Sequence, residues 1–396
     1  MEPKIRFKGF EGSGKAFLFS DIVERASVSG QAGTLPGIEF EDIVSGEGCF
    51  NKNIYQKECC KYGKLFYEGD ILFGKLRPYL KNIILADFNG VAIGDFWILR
   101  SKGYDKKYLY TLVNSESFLK VANISSGSKM PRADWNLVSA TKFVVPSAKE
   151  EQKVIGKYFT SLDTQISAST SRLASLKQMK AASLQAMFPQ EGETVPKVRF
   201  KGFEGEWKKV KLGECLEISK ERNINDEFGI NEVLSVSDEE GVMNQIKLLG
   251  RSYAGKSVTN YKVLRTNQVV YTKSPLKAKP YGIVKVNKGE TGIVSVLYAV
   301  YDAKDGINPD YIHYYFEPTF RINNYLLPLI NKGAKNTMNI SDEVSLLGNI
   351  MIPKTIAEQQ AIANYFTSLD HQITLQTQRL EKLKQIKSSC LDKMFV

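Results

Sequence analysis

Histidine is almost missing from this chain. Two occur in 396 residues, His313 and His371, and neither has metal-ligand spacing. That argues against a zinc centre, and it leaves no compelling Ser-His-Asp or Cys-His arrangement for nucleophilic catalysis. Cysteine is scarce as well. There are five, an odd number, with no C-x-x-C spacing, and Cys59 and Cys60 are adjacent. All five read as reduced thiols. No apolar run approaches the length needed to cross a bilayer. The start, MEPKIRFKGF, lacks the apolar stretch of a signal peptide, so the expected location is the cytoplasm.

Nucleotide and catalytic motifs fail on inspection. Gly9 to Ala16 nearly forms a phosphate loop, but Ala16 stands where Ser or Thr would hold magnesium. Phe10-Glu-Gly-Ser-Gly14 imitates a methyltransferase F-x-G-x-G, yet no Asn/Asp-Pro-Pro-aromatic follows. No cluster of carboxylates and Lys makes a nuclease site. The chain is expected to be non-catalytic by itself and to bind no metal and no cofactor.

What the chain does have is a repeat. Residues 3–12, PKIRFKGFEG, return at 196–205 as PKVRFKGFEG, an offset of 193. Tyr158-Phe-Thr-Ser-Leu-Asp163 returns unchanged at 365–370, an offset of 207. The copy of the false phosphate loop loses its Gly-Lys, so what the two heads share is structural. Between heads and tails the halves differ almost everywhere. Composition fits two or three domains with their own cores: 43% of residues are hydrophobic. With 54 Lys and Arg against 43 Asp and Glu, the net charge of +11 favours a polyanionic partner, most simply nucleic acid.

The tails read as long helices. Pro146 ends a strand-like Lys-Phe-Val-Val run, and Ser147-x-x-Glu150 then has the form of a capping box. Apolar residues follow at Ile155, Phe159, Leu162, Ile166 and Leu173 in steps close to a heptad seam. After Pro353 and Thr355-x-x-Glu358 the same register returns at Ile362, Phe366, Leu369, Ile373 and Leu380. A helix of roughly 38 residues is about 57 Å long. One such helix is most simply a core helix. Two with matching seams are expected to pair as a coiled coil and to dock partners. The expected domains are 1–146, a first reader; 147–188, its helix; 189–195, a linker; 196–353, a second reader; and 354–396, the second helix.

The inserts, about 13–145 and 206–352, are mixed α and β. Strands are expected at 70–73, 82–85, 96–99, 268–271, 282–286 and 292–296, and short helices near 106–122 and 309–325. In each insert a strand runs into a basic cluster: Lys75, Arg77, Tyr79 and Lys81 in the first, Lys273, Lys277, Lys279 and Tyr281 in the second. Lys and Arg neutralise phosphates, and Arg can also grip guanine. The bland alternative is a solvated turn. A second matched loop holds Lys129 and Arg132 in one copy and Lys335, Asn336 and Asn339 in the other. Gly in these loops lets the backbone approach a ligand, and Asn suits adenine. These thirteen residues are the candidate DNA contacts.

The order insert, long helix, insert, long helix resembles a known family. So do the repeated P-K-[IV]-R-F-x-G-F-x-G heads, the helix starts Glu151-Gln152 and Glu358-Gln359, and the stretch Asp70-Ile-Leu-Phe-Gly-Lys-Leu-Arg-Pro-Tyr79. The chain looks like the specificity subunit of type I restriction–modification systems, and the resemblance spans it throughout. It implies an α+β fold with two target-recognition domains, held apart by two helices in an antiparallel pair. It implies recognition of a bipartite, asymmetric double-stranded DNA site, in a bacterial or archaeal cytoplasm and with no membrane. It implies two methyltransferase partner subunits that use S-adenosylmethionine to methylate adenine N6. A restriction subunit using ATP and Mg is a further possible partner. One departure stands out: Trp207 occupies the place of Gly14. Two rival readings are an enzyme with an unrecognised nucleic-acid-modifying site, and a non-catalytic protein adaptor.

Overall fold

The computed structural model describes residues 3–56, 61–124, 130–255, 257–273, 278–332 and 338–395. The chain forms two units, Met1–Leu173 with Gln376–Val396, and Ala174–Leu375. Both boundaries fall inside the long helices, which run Lys149–Ala186 and Ile356–Met394.

In unit 1 a four-stranded antiparallel sheet has the order Val23–Ala26, Phe96–Ser101, Ile71–Gly74, Ile83–Leu85. Ile71–Gly74 is buried on both faces, so it reads as one apolar run rather than an alternation. Ile71 and Phe73 pack toward the helices Lys106–Val113 and Glu116–Ala122. Leu72 faces a second core with Ile38, Phe66 and Ile98. A second four-stranded sheet, Ser29–Gln31, Tyr62–Phe66, Gly90–Ala92, Gly37–Ile38, carries a parallel edge strand. Lys15–Leu18 pairs with Lys142–Val145 and draws the two ends of the insert together.

Unit 2 repeats the layers. Leu216–Ile218, Ala299–Ala303, Val269–Tyr271 and Val284–Val286 form its antiparallel sheet, and Lys208–Lys211 pairs with Asn349–Ile352. Val269 and Tyr271 face the helical side, and Val270 faces Leu264, Val294 and Val300. The short helices expected as single elements are each two. Ser115 Oγ accepts from Phe118 N and starts a new helix after Val113. Pro318 separates Pro309–Phe316 from Thr319–Leu326, where its missing N–H interrupts no helical bond.

The Glu-Gln pair at each helix start is a double clamp. Arg6 donates twice to Glu151, with both contacts at 2.6 Å, and its copy Arg199 donates to Glu358 at 2.7 and 2.8 Å. Gln152 Oε1 accepts from Asp105 N and Gln359 Oε1 from Asn308 N; these are the N-cap residues of the two short helices. All four helix residues are buried, so each clamp ties head, insert and long helix through groups that cannot be left unpaired. Thr355 Oγ1 accepts from Glu358 N, as a cap should. At the first helix Gln152 Nε2 donates to Pro146 O.

The heads differ where the sequence departs. Trp207 is buried and donates from Nε1 to Glu358 Oε1 at 3.2 Å. At Gly14 a Cβ would stand 2.6 Å from Val144 Cγ1, so the first head has no room for the indole. The clamp is common to both heads and the aromatic wedge is not.

The far ends of the helices also match. Ile5 N donates to Lys393 O, and Val198 N donates to Ala186 O, residues related by the two offsets. Phe395 packs on Tyr108 and Phe159 at ring separations of 5.6 and 6.1 Å. Phe188 packs on Tyr311 and Phe366 at 5.6 and 6.0 Å. The helix segments within each unit run in opposite directions. In unit 1 Asp163 pairs with Lys387, and Gln376 Nε2 donates to Ser169 O. In unit 2 Lys180 pairs with Asp370, and Ser183 Oγ bonds Tyr365 Oη.

Ile155, Phe159, Leu162, Ile362, Phe366 and Leu369 are buried in the cores of their own units, Leu380 is buried, and Leu173, Ile166 and Ile373 are half-buried. Most of the seam is therefore covered by the chain itself. Periodicity reports which helix face is covered, and here the chain itself covers it. Apolar residues left exposed on the helices are Val154, Met179, Ile356 and Leu375.

Candidate nucleic-acid interface

The unit 1 site begins where Ile71–Gly74 leaves its sheet. Leu76 forms a bridge with Arg132, Arg77 N donates to Pro131 O, and Ala133 N donates to Lys75 O. The two loops singled out in the sequence are thus laced side by side. Arg77 and Lys81 have left-handed backbones, with φ of 49° and 52°, and bracket the turn Pro78–Leu80. Few residues other than Gly sit there, and such strain persists where surrounding bonds enforce it. Arg77 and Tyr79 project into solvent. Lys81 turns to Glu116 at 3.4 Å.

Asp95, at the start of Phe96–Ser101, ties the loops electrostatically. It takes Lys75 at 3.2 Å and Arg132 at 3.0 Å. Burial would raise its pKa, but hydrogen bonds from Arg132 and Lys75 outweigh that and hold it below the usual carboxylate value. Lys64 lies in the same field. Its pKa is lowered, first by burial, then by Lys75 and Arg25. The Arg25 guanidinium lies 4.8 Å above the Trp135 ring. Lys75 and Arg132 thus bind this carboxylate, and Lys64 lies in the field of Lys75, Arg25 and Asp95, a local excess of cations suited to phosphate. Lys75 and Arg132 were legible as basic loop residues. Arg25, Lys64, Asp95 and Trp135 were not, because they come from other strands and a helix start and only the fold gathers them.

Unit 2 treats its matched cluster differently. Lys273, with φ of 28°, gives its ammonium to Asp342 at 2.7 Å, and Lys262 reaches the same carboxylate at 2.5 Å. Asp342 is held below its usual pKa, since bonds from Lys262 and Lys273 outweigh the effect of burial. Lys279 donates to Asp238 at 2.8 Å and to Glu317 O at 3.0 Å. Tyr281 packs partly buried on the unit 2 core, and its carbonyl accepts from Tyr271 Oη. Lys273, Lys279 and Tyr281 are thus engaged inward, where the sequence pattern suggested outward contacts. The pattern gives the cations but not the distant carboxylates that capture them. Lys129, Lys277, Lys335 and Asn336 lie outside the described residues. Asn339 is described only as strand backbone paired with Asn331. Arg251 over Tyr253, at 4.6 Å, is a cation–aromatic pair the sequence reading passed over.

Among the described residues no group of His, Cys, Asp and Glu could hold a metal ion, and no helix is long and apolar enough to cross a membrane.

Comparison with known proteins agrees with this architecture. Residues 204–385 match the model of the type I restriction modification DNA specificity domain. The EcoDI type I restriction enzyme specificity subunit of Escherichia coli is 25% identical over 120 residues, which cover 28% of this chain and 27% of that protein. The match therefore spans about a quarter of the relative. The type I restriction–modification S subunit from M. genitalium superposes with a TM-score of 0.63 at 11% identity, covering 100% of this chain and 99% of that one. The HsdS subunit from Thermoanaerobacter tengcongensis gives 0.43 at 18% identity, with 97% of each chain covered. Residues 204–385 thus resemble a type I restriction modification DNA specificity domain, and the fold of the whole chain is similar to that of the M. genitalium S subunit.

Proposed function

We propose that the chain is the DNA-recognition subunit of a type I restriction–modification complex, non-catalytic by itself. Each unit reads one half of a bipartite, asymmetric double-stranded site. The long helices pair as an antiparallel coiled coil and space the readers. Phosphate contacts position each reader, and a few loop side chains specify bases. Two methyltransferase subunits dock on the chain and bring S-adenosylmethionine; a restriction subunit, where present, brings ATP and Mg. The complex works in the cytoplasm.

The observation that carries this reading is the same frame used twice around unlike surfaces. Arg6–Glu151 and Arg199–Glu358 are equivalent clamps. The cationic faces they support are built from different residues, with Asp95 inside one and Asp342 inside the other. One geometry with two chemistries suits two different half-sites. Co-expression with a methyltransferase partner, followed by genome-wide mapping of N6-methyladenine, tests it. A discontinuous motif with two unlike halves is expected. A single continuous motif, or methylation that does not depend on this chain, contradicts the reading.

A further inference from the structure

Arg321, in the helix Thr319–Leu326, is 7% exposed. Its guanidinium donates to Tyr315 O at 2.9 Å and Leu184 O at 3.2 Å. It lies 4.8, 5.1 and 5.3 Å from the rings of Phe188, Tyr315 and Phe320. Among the described residues no carboxylate pairs with it. The two carbonyls belong to the last turns of Pro309–Phe316 and Lys149–Ala186, and their negative ends offset part of the cost of burying the charge. They occupy two of the five N–H donors of a guanidinium.

The frame does not require a cation here. The spacing that carries Tyr108 onto Tyr311 carries Phe118 onto Arg321. Phe118 is fully buried against Phe19, Phe73 and Phe143. The first copy thus fills this position with a plain apolar ring. The second keeps a charge that apolar packing would make unnecessary, and it borders a cleft of ≈ 390 Å³. Lys209, Asn324 and Asn349 also line that cleft, and Phe320, 47% exposed, stands at its edge.

We propose that this cleft is a socket for an acidic side chain presented by a protein partner, with Arg321 as its anchor. A guanidinium with free donors matches a carboxylate. The volume exceeds many times the ~30 Å³ share of one water, so it admits a side chain with its flanks. Phe320 offers an apolar contact beside the charge. Glu191 and Glu193 also border the cleft and oppose negative charge there, far more for a nucleic-acid backbone with its many phosphates than for a single carboxylate.

The test uses the full chain labelled with ¹⁵N-arginine. The Arg321 Nε–H resonance is assigned by its loss in Arg321→Lys. The probes are N-acetyl-glutamyl-phenylalaninamide, its glutaminyl counterpart and inorganic phosphate. The glutamyl peptide should shift that resonance saturably and bind at least about tenfold tighter than either other probe. Phe320→Ala, an exposed change that leaves the core alone, should weaken the peptide and spare the fold. No shift with the glutamyl peptide, or an equal shift with the glutaminyl one, overturns the proposal. Phosphate binding as tightly as the peptide also overturns it and makes the cleft a free-anion site.

Discussion

Replacing Asp95 by Asn removes the carboxylate that pairs with Lys75 and Arg132 while keeping its shape. Its partners are 29% and 52% exposed, so each ion pair contributes only about 0.2–1 kcal/mol to stability. The variant should therefore lose no more than about 2 kcal/mol in urea unfolding. Its effect on DNA should be larger. Lys75 and Arg132 become free for phosphates, and each phosphate neutralised steepens the slope of log K against log salt by about 0.9. Asp95→Asn should bind random duplex more tightly, with a slope more negative by about 0.9–1.8. Fluorescence anisotropy with a labelled duplex across a salt series measures both quantities. An unchanged or shallower slope in a folded variant would refute the assignment of this face to the DNA backbone.

Other outcomes follow from the same geometry. Arg6→Ala should cost about 3–5 kcal/mol in chemical denaturation, because it strands a buried Glu, and Arg199→Ala should cost less, because Trp207 still donates to Glu358; a loss below about 1 kcal/mol from either would mean that the clamps are ornamental. His313 is half-buried in the helix Pro309–Phe316, and desolvation followed by Lys285 lowers its pKa from 6.5 to about 3. The unfolded chain therefore binds the extra proton first, and stability should fall as pH drops from 6.5 toward 3, by up to about 1.4 kcal/mol per unit. His313→Gln should remove that component, which paired pH-stability curves would detect. Arg77→Ala should weaken DNA binding with little change in stability, whereas Lys279→Ala should destabilise unit 2 and leave the salt slope unchanged; the reverse pattern would exchange their roles.

The long helices and the layered inserts were legible because their signals are local. Matched seams, a Pro before each helix and short apolar runs fix element type without knowledge of neighbours. The break at Asn114-Ser115 was missed because a mid-helix Ser and an N-cap Ser look alike in one dimension. The partners of the seam were hidden for a related reason. Leu162 and Leu369 report burial, but only the fold reveals that Leu391 shares the core of the first and Leu176 and Phe188 that of the second. The site was legible as charge and not as geometry. Lys75 and Lys273 look equivalent in sequence, yet Asp95 follows the first by 20 residues and Asp342 follows the second by 69. Long-range pairs of that kind leave no periodic trace.

The central claim is that the two inserts are separable readers on one frame. The most direct measurement replaces residues 206–352 with a second copy of 13–145 and maps N6-methyladenine in cells that also express the methyltransferase partner. Arg199, Glu358 and Gln359 remain, so both clamps keep their helix partners. The account expects a palindromic target made of two copies of one original half-site. A folded, assembled complex that still methylates the original asymmetric site would contradict it.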